Sequence, residues 1–360
     1  MKRFHLYGPL LMALFLLGSL WSPAKASDSH AEKVDVKEIV LGHMSDAYAW
    51  HIINIDGKHY SIPLPVIVRS EVTGEWHVFS STRIEEAGEK GDTYLGFFFN
   101  EEKNGKIYER LADGSVVRPY DFSITKNVVQ IWIVALLLII IFMATARWYK
   151  VRDAKSDAPR GFVGAIEMLV TMINDDVIKS SIGEKHYRKY APYLLTVFFF
   201  IFTTNVLGLI PIFPGGANVT GNINITFFLA FCTMIAINLF GNKEYWKEIF
   251  WPEVPTFLKF PIPIMPVIEM FGVLTKPFAL MIRLFANMMA GHAIILAFVS
   301  IIFITMQVSI AIGSCITVLS GVMLVFMNCL ECIVAFVQAY VFTMLSAVFI
   351  GLSVPEHHTK

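Results

Sequence analysis

The sequence predicts an α-helical integral membrane protein that carries a small β-rich domain outside the membrane. Hydrophobic residues make up 55% of the 360 residues and charged residues 16%, whereas soluble domains have about 45–50% and 25%. The apolar residues are grouped in long runs, and charged residues lie between these runs. Because the formal net charge is zero, there is no basic excess to neutralise phosphates, and we expect no nucleic-acid partner.

Residues 1–26 have the pattern of a secretory signal peptide. Lys2 and Arg3 form a basic start, residues 10–20 are apolar, and Ala24-Lys25-Ala26 offers a cleavage site flanked by small side chains. We therefore expect the mature chain to begin near Ser27, on the outer side of the cytoplasmic membrane.

Residues 27–123 are polar and rich in turn signals, and they predict a small extracytoplasmic β-rich domain. Asp56-Gly57 separates two β-prone runs, which is typical of a tight hairpin, and further strand-like runs occur at 76–79 and 94–99. The whole first span separates this segment from the polar residues of the last helices. We therefore expect the segment to be dispensable for ion transfer.

The apolar runs predict five membrane spans after signal cleavage, within a transmembrane domain at 124–352. The first three cover 128–146, 193–210 and 223–240, and each is close to the about 20 residues that a bilayer requires. Basic residues follow the first span and lie between the third and fourth, so both places are cytoplasmic by the positive-inside rule. They are Arg147, Lys150, Arg152, Lys155, Lys243, Lys247 and Lys259. Residues 353–360 are then a cytoplasmic tail.

The last two spans differ from the others in length. Residues 261–352 are almost continuously apolar, with a turn expected at 305–309. Two helices of about 40 residues, at about 1.5 Å per residue, are near 60 Å long, twice the hydrocarbon thickness. These helices must therefore lie strongly tilted or be broken. Pro277 should loosen the first of them locally.

Polar residues recur along one side of the first of these helices. Glu269, Lys276 and Arg283 are spaced by seven, so they form one ionisable stripe, and Asn287 continues it one turn later. His292 is nine positions beyond Arg283, about 180° round the helix. The arginine and the histidine should therefore face different surroundings.

Arg283 is the most unusual of these residues. A guanidinium inside a membrane helix costs roughly 2.5–3.5 kcal/mol on insertion scales, and it cannot lose its proton. It should pair with an anion or guard an ion path. Snorkelling to the headgroups is the alternative, although apolar residues continue for several turns beyond it. Ala279, Ala286, Ala290 and Gly291 suit close contact with another helix, but internal packing would look the same.

The last helix also carries polar residues at helical spacing. Glu331 and Gln338 are seven apart and share one face, so the two helices together predict a lined ion path. Interhelical hydrogen bonding for packing is the alternative.

Cys329 and Cys332 have the spacing of a metal or redox pair, but no histidine lies at ligand spacing. Small buried thiols are the better interpretation, and we expect neither a metal nor a cofactor.

These residues form patterns that resemble a known family. Residues 269–292, with Glu269, Lys276-Pro277 and Arg283-Leu-Phe-Ala-Asn287, resemble the signature of the a subunit of F-type ATP synthases. Segments of the other spans are similar to the same family, namely residues 330–345, 205–211 and 222–226. The resemblance covers about residues 124–352. Residues 27–122 depart from it, because most members have only a short external N-terminus.

The resemblance implies a bacterial, proton-translocating stator subunit with two offset half-channels against a rotating c-ring. Arg283 corresponds to the arginine that faces the ring carboxylates and separates the half-channels. Glu269 corresponds to a polar position of the cytoplasmic half-channel, and Lys276 belongs to the same signature. The positions that line the outer half-channel correspond to Asn287, His292, Glu331 and Gln338. A histidine at 292 with a glutamate at 331 resembles the mitochondrial arrangement.

The same resemblance implies the partners and the location. They are the c-ring, the b-subunit peripheral stalk, the other ATP synthase subunits and the lipid of the bacterial inner membrane. The chain has no nucleotide-binding loop, so other subunits should catalyse. The coupling ion, H⁺ or Na⁺, stays open because the ring supplies the ion-binding carboxylate. A stand-alone secondary transporter or channel is the alternative, but residues 124–250 and 260–352 show no internal repeat.

Overall fold

The structure is a computed structural model that describes most of the chain between residues 46 and 354. Within that range the residues outside the description are 56–57, 101–104, 112, 152–158, 211–214, 240, 251–263 and 309. All described residues fall within one compact unit, Val36–Lys360. The predicted signal peptide lies outside the described residues, as do residues 355–360 of the predicted tail.

The N-terminal domain consists mainly of short antiparallel strands, which confirms the prediction of a β-rich segment. Its described strands form three sheets. The first sheet pairs β1 (Ala49–Ile55) with β2 (Lys58–Pro63). In the second sheet, β3 (Pro65–Arg69) lies between β4 (Trp76–Ser80) and β8 (Tyr120–Asp121). In the third sheet, β6 (Lys106–Arg110) lies between β5 (Phe97–Asn100) and β7 (Val116–Val117). The turn expected at Asp56-Gly57 falls between β1 and β2, outside the described residues.

The alternating pattern of β3 explains how this domain acquires a core. Successive strand residues point to opposite faces, and Val66 and Val68 are fully buried while their neighbours are partly or fully exposed. They pack with Phe79, Phe97 and other apolar side chains. A short helix that the sequence patterns did not predict, α1 (Ser81–Glu89), adds Ile84 to this core.

The chain then becomes helical. Its long or apolar helices are α2 (Lys126–Val151), α5 (Tyr187–Leu209), α6 (Ile223–Leu239), α8 (Ile264–Val308) and α9 (Ile310–Ser353). Among the described residues, four of them are long and apolar enough to cross a membrane. The third predicted span corresponds to α6, whose 17 residues make it shorter than the other four. At about 1.5 Å per residue α6 is close to 26 Å long.

The connection before α5 is helical over residues 162–182, but part of it is wider than an α-helix. It consists of α3 (Phe162–Thr171), a π-helical segment (Met172–Lys179) and α4 (Ser180–Ile182). The π-helical segment buries Ile173, Val177 and Ile178 in the hydrophobic core that the membrane helices share. Helix α5 begins at Tyr187, six residues before the predicted span at 193–210. Pro192 lies inside the helix, where its carbonyl accepts a hydrogen bond from the Thr196 hydroxyl.

The two final helices are as long as the sequence predicts. Helix α8 has 45 residues and α9 has 44, and the boundary between Val308 and Ile310 falls in the expected turn. Helix α8 continues through Pro277, so the alternative of a broken helix is wrong for this element. An unbroken helix of this length, about 67 Å, crosses a bilayer only with a strong tilt.

The helices enclose one apolar core. Leu280 and Leu284 of α8 meet Leu194 and Phe198 of α5 and Phe342 of α9 within the same buried cluster. Helix α2 stays at the edge of this arrangement, since only Asn127, Gln130 and Val134 among its residues are buried. The ionisable side chains of α8 and α9 are therefore positioned by helices α5 and α6 and by each other.

The N-terminal domain touches the helical part directly. Trp50 is 3% exposed and packs with Ala217 and Val219 of the loop between α5 and α6. The backbone N–H of Lys126 donates to the Ala47 carbonyl, and that of Asn127 donates to Asp46. The N-terminal domain therefore contacts the start of α2 and the loop between α5 and α6, and its being dispensable for ion transfer stays a prediction.

The contact at Asp46 gives a pH-dependent prediction. Burial raises the pKa of the Asp46 carboxyl, although the Asn127 N–H and two lysine charges act in the other direction. When folding raises the pKa of an acid, the fold is most stable where the acid is protonated, below its unfolded pKa near 4. This stability is lost as the pH rises through the folded pKa. Asp46→Asn keeps an oxygen acceptor without the charge. It should therefore raise the thermal unfolding midpoint of the full-length protein more at pH 7 than at pH 3.

Asp113 provides a control with the opposite sign. Hydrogen bonds from Ser115 lower the pKa of this exposed carboxyl, so its contribution is present at pH 7 and is lost on acidification. Asp113→Asn should lower the midpoint at pH 7 and leave it unchanged at pH 3. Equal shifts at both pH values for Asp46→Asn would contradict the assignment of a buried, destabilising charge.

Candidate functional site

Arg283 lies on a face of α8 that the rest of the described chain leaves uncovered. Arg283 and Asn287 are exposed, and so are Ala279, Ala286 and Ala290 beside them. The opposite face is apolar and buried, with Leu280, Leu284 and Met288 each no more than 2% exposed. The apolar face packs on the core of this chain and directs the arginine and the small residues outward.

The described residues offer no carboxylate partner to Arg283. The ion pairs among them join Lys179 to Glu184 and His292 to Glu331. A guanidinium at membrane depth must meet water or an anion, because it cannot be neutralised by proton loss. The exposed position and the small neighbouring side chains together suit an anionic group on another subunit.

His292 and Glu331 form a buried pair between the two long helices. The Nδ1 atom of His292 in α8 lies 2.7 Å from Oε1 of Glu331 in α9, and the two side chains are 15% and 4% exposed. The other carboxyl oxygen, Oε2, is buried and has no hydrogen-bond partner among the described residues. The structure thus brings together two of the predicted residues that are far apart in sequence.

Gly291 makes the short distance between these two helices possible. A Cβ atom at this position would lie 2.5 Å from Oε1 and 2.8 Å from Cδ of Glu331. These separations are far below the about 3.5–4.0 Å of ordinary contact. The carboxyl group of Glu331 therefore occupies the space that any other residue at 291 would fill.

The second ring nitrogen of His292 lies near Gly208 of α5, which a loop that sequence reasoning did not select also approaches. A Cβ atom at Gly208 of α5 would lie 3.7 Å from Nε2 of His292 and 3.1 Å from the carbonyl oxygen of Ala217. Ala217 belongs to residues 215–222, here called the 215–222 loop. Gly216 has a φ of 78°, a conformation that favours glycine, and its N–H donates to the Leu207 carbonyl. This bond turns the loop back over the end of α5.

The 215–222 loop is held by buried polar groups. The Thr220 hydroxyl donates to Oδ1 of Asn205 at 2.6 Å, and the Ala217 N–H donates to Oε1 of Gln130 at 3.0 Å. Asn205, Thr220 and Gln130 are each at most 1% exposed. A polar side chain inside an apolar span was the signal that could have selected Gln130 and Asn205. Nothing in the sequence places them beside the loop.

The remaining predicted residues occupy other parts of the two helices. Gln338 is buried on the same face of α9 as Glu331. The ammonium of Lys276 lies 5.6 Å from the centroid of the Phe349 ring, near the end of α9. Glu269 lies near Tyr245 of α7 (Lys243–Phe250), and its charge adds to the effect of burial in raising the pKa of that phenol.

The predicted residues therefore lie at different positions along α8 and α9 and do not form one cluster. Glu269 and His292 are 23 positions apart on one continuous helix, which corresponds to about 35 Å. The predicted stripe is divided, since Arg283 faces outward while Lys276 reaches an aromatic ring of α9. One polar region lies near the start of α8, the other lies around His292 in its second half, and the arginine lies between them.

The cysteines are not buried within this chain, so that interpretation of them is wrong. Cys315, Cys329 and Cys332 are exposed on the surface of α9, and Cys232 is partly exposed. Their thiols point away from the apolar core of the chain. In the part of the chain that the structure describes, no group of three His, Cys, Asp or Glu side chains could hold a metal ion.

Comparison with known proteins gives the family. Residues 128–351 match the family described as ATP synthase A chain. Over 267 residues the chain is 45% identical to ATP synthase subunit a of Chlorobium phaeobacteroides strain DSM 266, covering 71% of this chain and 74% of the relative. Over 263 residues it is 40% identical to ATP synthase subunit a of Myxococcus xanthus, covering 71% and 80%. Residues 39–122 match a separate family of domains of unknown function.

The helices and the comparisons together define a multi-pass inner-membrane subunit of an ion-translocating complex. More particularly, the chain belongs to the family of bacterial F-type ATP synthase a subunits. It is thus a proton-translocating subunit of the F0 membrane sector, and its partners are other ATP synthase subunits such as the c-ring. This assignment confirms the resemblance, and it argues against the alternative of a stand-alone transporter.

Proposed function

We propose that this chain forms two laterally offset half-channels, one from each side of the membrane, which meet the c-ring on either side of Arg283. Helix α6 also crosses the membrane and brings the number of spans to five. The N-terminal domain is periplasmic after removal of a signal peptide, and the C-terminus is cytoplasmic. The b-subunit holds this stator part against rotation. The observation that carries the proposal is the arrangement on α8, where Arg283 is exposed and His292 is paired inward with Glu331.

The outer half-channel leads through the His292–Glu331 pair. An imidazole can accept a proton on Nε2 and release one from Nδ1, and Nδ1 is the atom that lies 2.7 Å from Glu331. The unpartnered Oε2 of Glu331 is then a position where the proton can reside. Asn287 and Gln338 line the continuation of this path towards the ring. The inner half-channel lies near Glu269 and Lys276.

Arg283 separates the two paths and drives ion exchange with the ring. Its fixed positive charge repels a proton that would pass straight through, and it favours the ionised form of a ring carboxylate beside it. A protonated, neutral carboxylate can turn through lipid, whereas an ionised one cannot do so cheaply. Each charge that crosses 100 mV delivers about 2.3 kcal/mol, and rotation of the ring carries this work to the catalytic head.

Single variants of the pair test this proposal. Glu331→Gln removes the proton-carrying carboxylate and His292→Ala removes the imidazole, so each should slow ATP-driven proton pumping strongly, by about 10²-fold if these groups act as acid and base. Pumping is followed with a pH-sensitive dye in inverted vesicles. The double variant His292→Glu with Glu331→His should recover part of the flux, because it keeps both groups between the same helices.

Exposed residues of the same types provide matched controls. His186 and Glu184 are exposed and precede α5, so His186→Ala and Glu184→Gln should leave pumping unchanged. Wild-type rates in both His292→Ala and Glu331→Gln would remove the two residues from the proton path. If the exchanged variant pumps no better than the worse single variant, the two residues do not act as a pair.

A further inference from the structure

Trp50 makes a buried contact between the N-terminal domain and the helical part of the chain. The indole is 3% exposed, and Ala217 and Val219 in the same cluster are each 1% exposed. Val129 and Ile133 of α2 pack against this cluster. A tryptophan buried to this extent fixes the backbone on which it packs, because its removal leaves a space that the neighbours cannot fill without moving.

The loop residue that packs with Trp50 also lies near His292 in space. The N–H of Ala217 is fixed by Oε1 of Gln130 at 3.0 Å. Its carbonyl oxygen and Nε2 of His292 both lie within 4 Å of the same point beside Gly208. Ala217 is therefore the residue of the 215–222 loop that packs with the indole of the N-terminal domain and also lies near the imidazole of the buried pair.

We propose that the N-terminal domain forms the outer wall of the proton inlet, with Trp50 as the positioning residue that holds the Ala217 carbonyl beside Nε2 of His292. This inference rests on the proposed function, because it assumes that protons reach His292 from this side. It assigns a role to residues 39–122, which match a family of domains of unknown function.

The chemistry explains why the position of this carbonyl matters. Nδ1 of His292 is engaged by Glu331, so Nε2 is the atom that must accept a proton from outside. A carbonyl oxygen beside Nε2 can accept a hydrogen bond from the ring N–H or from a water that delivers the proton. When the loop is released, this alignment is lost and proton capture by His292 requires more acid outside.

The external pH dependence of ATP synthesis tests the proposal. Inverted vesicles are loaded at a series of luminal pH values, since the lumen corresponds to the periplasmic side, and the initial rate is measured at one fixed outer pH. Trp50→Ala should shift the luminal pH of half-maximal rate towards acid by about one unit, a tenfold change that corresponds to about 1.4 kcal/mol. The maximal rate at acidic luminal pH should remain close to that of the wild type.

A labelling experiment measures the loop directly. In a background in which the four native cysteines are replaced by serine, Val219→Cys is exposed to a membrane-impermeant maleimide in right-side-out vesicles. Trp50→Ala should accelerate labelling about tenfold, because the released loop exposes the thiol at position 219 more often. Trp76→Ala is the matched control, because Trp76 belongs to the same domain but is 57% exposed. It should change neither the pH dependence nor the labelling rate.

Two further variants keep the test informative if Trp50→Ala does not assemble. Trp50→Phe retains an aromatic ring and should restore most of the wild-type pH dependence. Gln130→Leu releases the Ala217 N–H from the side of α2 and should reproduce the acid shift. An unchanged half-maximal pH and labelling rate in both Trp50→Ala and Gln130→Leu would overturn the proposal, and so would a uniform loss of rate at every luminal pH.

The variants His292→Ala and Trp50→Ala distinguish a wrong role for the N-terminal domain from a wrong proton path. If His292→Ala blocks pumping while Trp50→Ala behaves as wild type, only the role of the N-terminal domain is wrong. If His292→Ala pumps normally, the path through His292 is wrong, and the wall proposed for it fails with the proposed function.

Discussion

Arg283→Ala should abolish coupled ATP synthesis while the complex still assembles, and Arg283→Lys should not restore it. The guanidinium is exposed on α8 beside small residues, and among the described residues it has no carboxylate partner. Its removal therefore costs this chain no internal ion pair. Lysine is a poor substitute, because an ammonium loses its proton when it is desolvated, whereas a guanidinium does not.

The measurement is ATP synthesis in inverted vesicles under an imposed pH gradient. A second measurement is the passive proton leak through the membrane sector after the catalytic head has been stripped off, which should rise once the barrier between the half-channels is removed. Arg188→Ala is the matched control, since Arg188 is exposed and its described contacts are with Tyr187 alone. Normal synthesis in Arg283→Ala would show that another group separates the two paths.

Much of the helical part could be predicted because its determinants are local. A run of apolar residues specifies a span wherever it occurs, and the lengths of α8 and α9 follow from the distance between polar interruptions. The outward position of Arg283 was indicated by its small neighbours, although internal packing would have given the same pattern. The structure decides between these, because Leu280 and Leu284 are the residues that face the core.

The contacts between distant segments could not be predicted in this way. Trp50 and Ala217 have no shared periodicity, and a single tryptophan in a polar segment does not indicate what covers it. Gly291 was predicted to allow close contact with another helix, but the sequence does not indicate which atom fills the space beside it, and Gly208 gave no signal. The nearest atom belongs to Glu331 for Gly291 and to Ala217 for Gly208.

Pro192 and the π-helical segment illustrate a different limit. A proline is a reasonable marker for the end of a helix, but α5 begins several residues before Pro192. Arg188, whose carbonyl loses its hydrogen bond because of this proline, is an exposed residue. The missing hydrogen bond is inexpensive where the carbonyl concerned can meet solvent. For the π-helical segment, burial of Ile173, Val177 and Ile178 decides the local geometry, so tertiary packing overrides the α-helical spacing.

Gly291→Ala should break the His292–Glu331 pair while improving the helix that carries it. The added Cβ would lie 2.5 Å from Oε1 of Glu331, so the carboxyl must move by about 1 Å or more to reach ordinary contact distance. A displacement of that size takes the 2.7 Å interaction with Nδ1 out of hydrogen-bonding range. We expect proton pumping to fall by about 10²-fold, the typical effect of a 1 Å misplacement of reacting groups.

The glycines elsewhere in the same helices separate this effect from a general change in α8 or α9. A methyl group at Gly272 of α8 or Gly321 of α9 would meet nothing within 4 Å. All three changes to alanine raise helix propensity by up to about 1 kcal/mol, so a loss confined to Gly291→Ala cannot arise from a weaker helix. Gly272→Ala and Gly321→Ala should pump as the wild type does, with equal or better assembly.

Shortening the acid should compensate for the added methyl group. In Gly291→Ala with Glu331→Asp, the carboxyl withdraws by one methylene from the space that Cβ now fills, so the pair can form again at a longer distance and part of the flux should return. Pumping is measured in inverted vesicles, with the amount of assembled complex as the reference. If Gly291→Ala pumps normally, or if Gly272→Ala loses as much activity, the close contact between Gly291 and Glu331 does not position the pair. The inlet would then depend on some other constraint between α8 and α9.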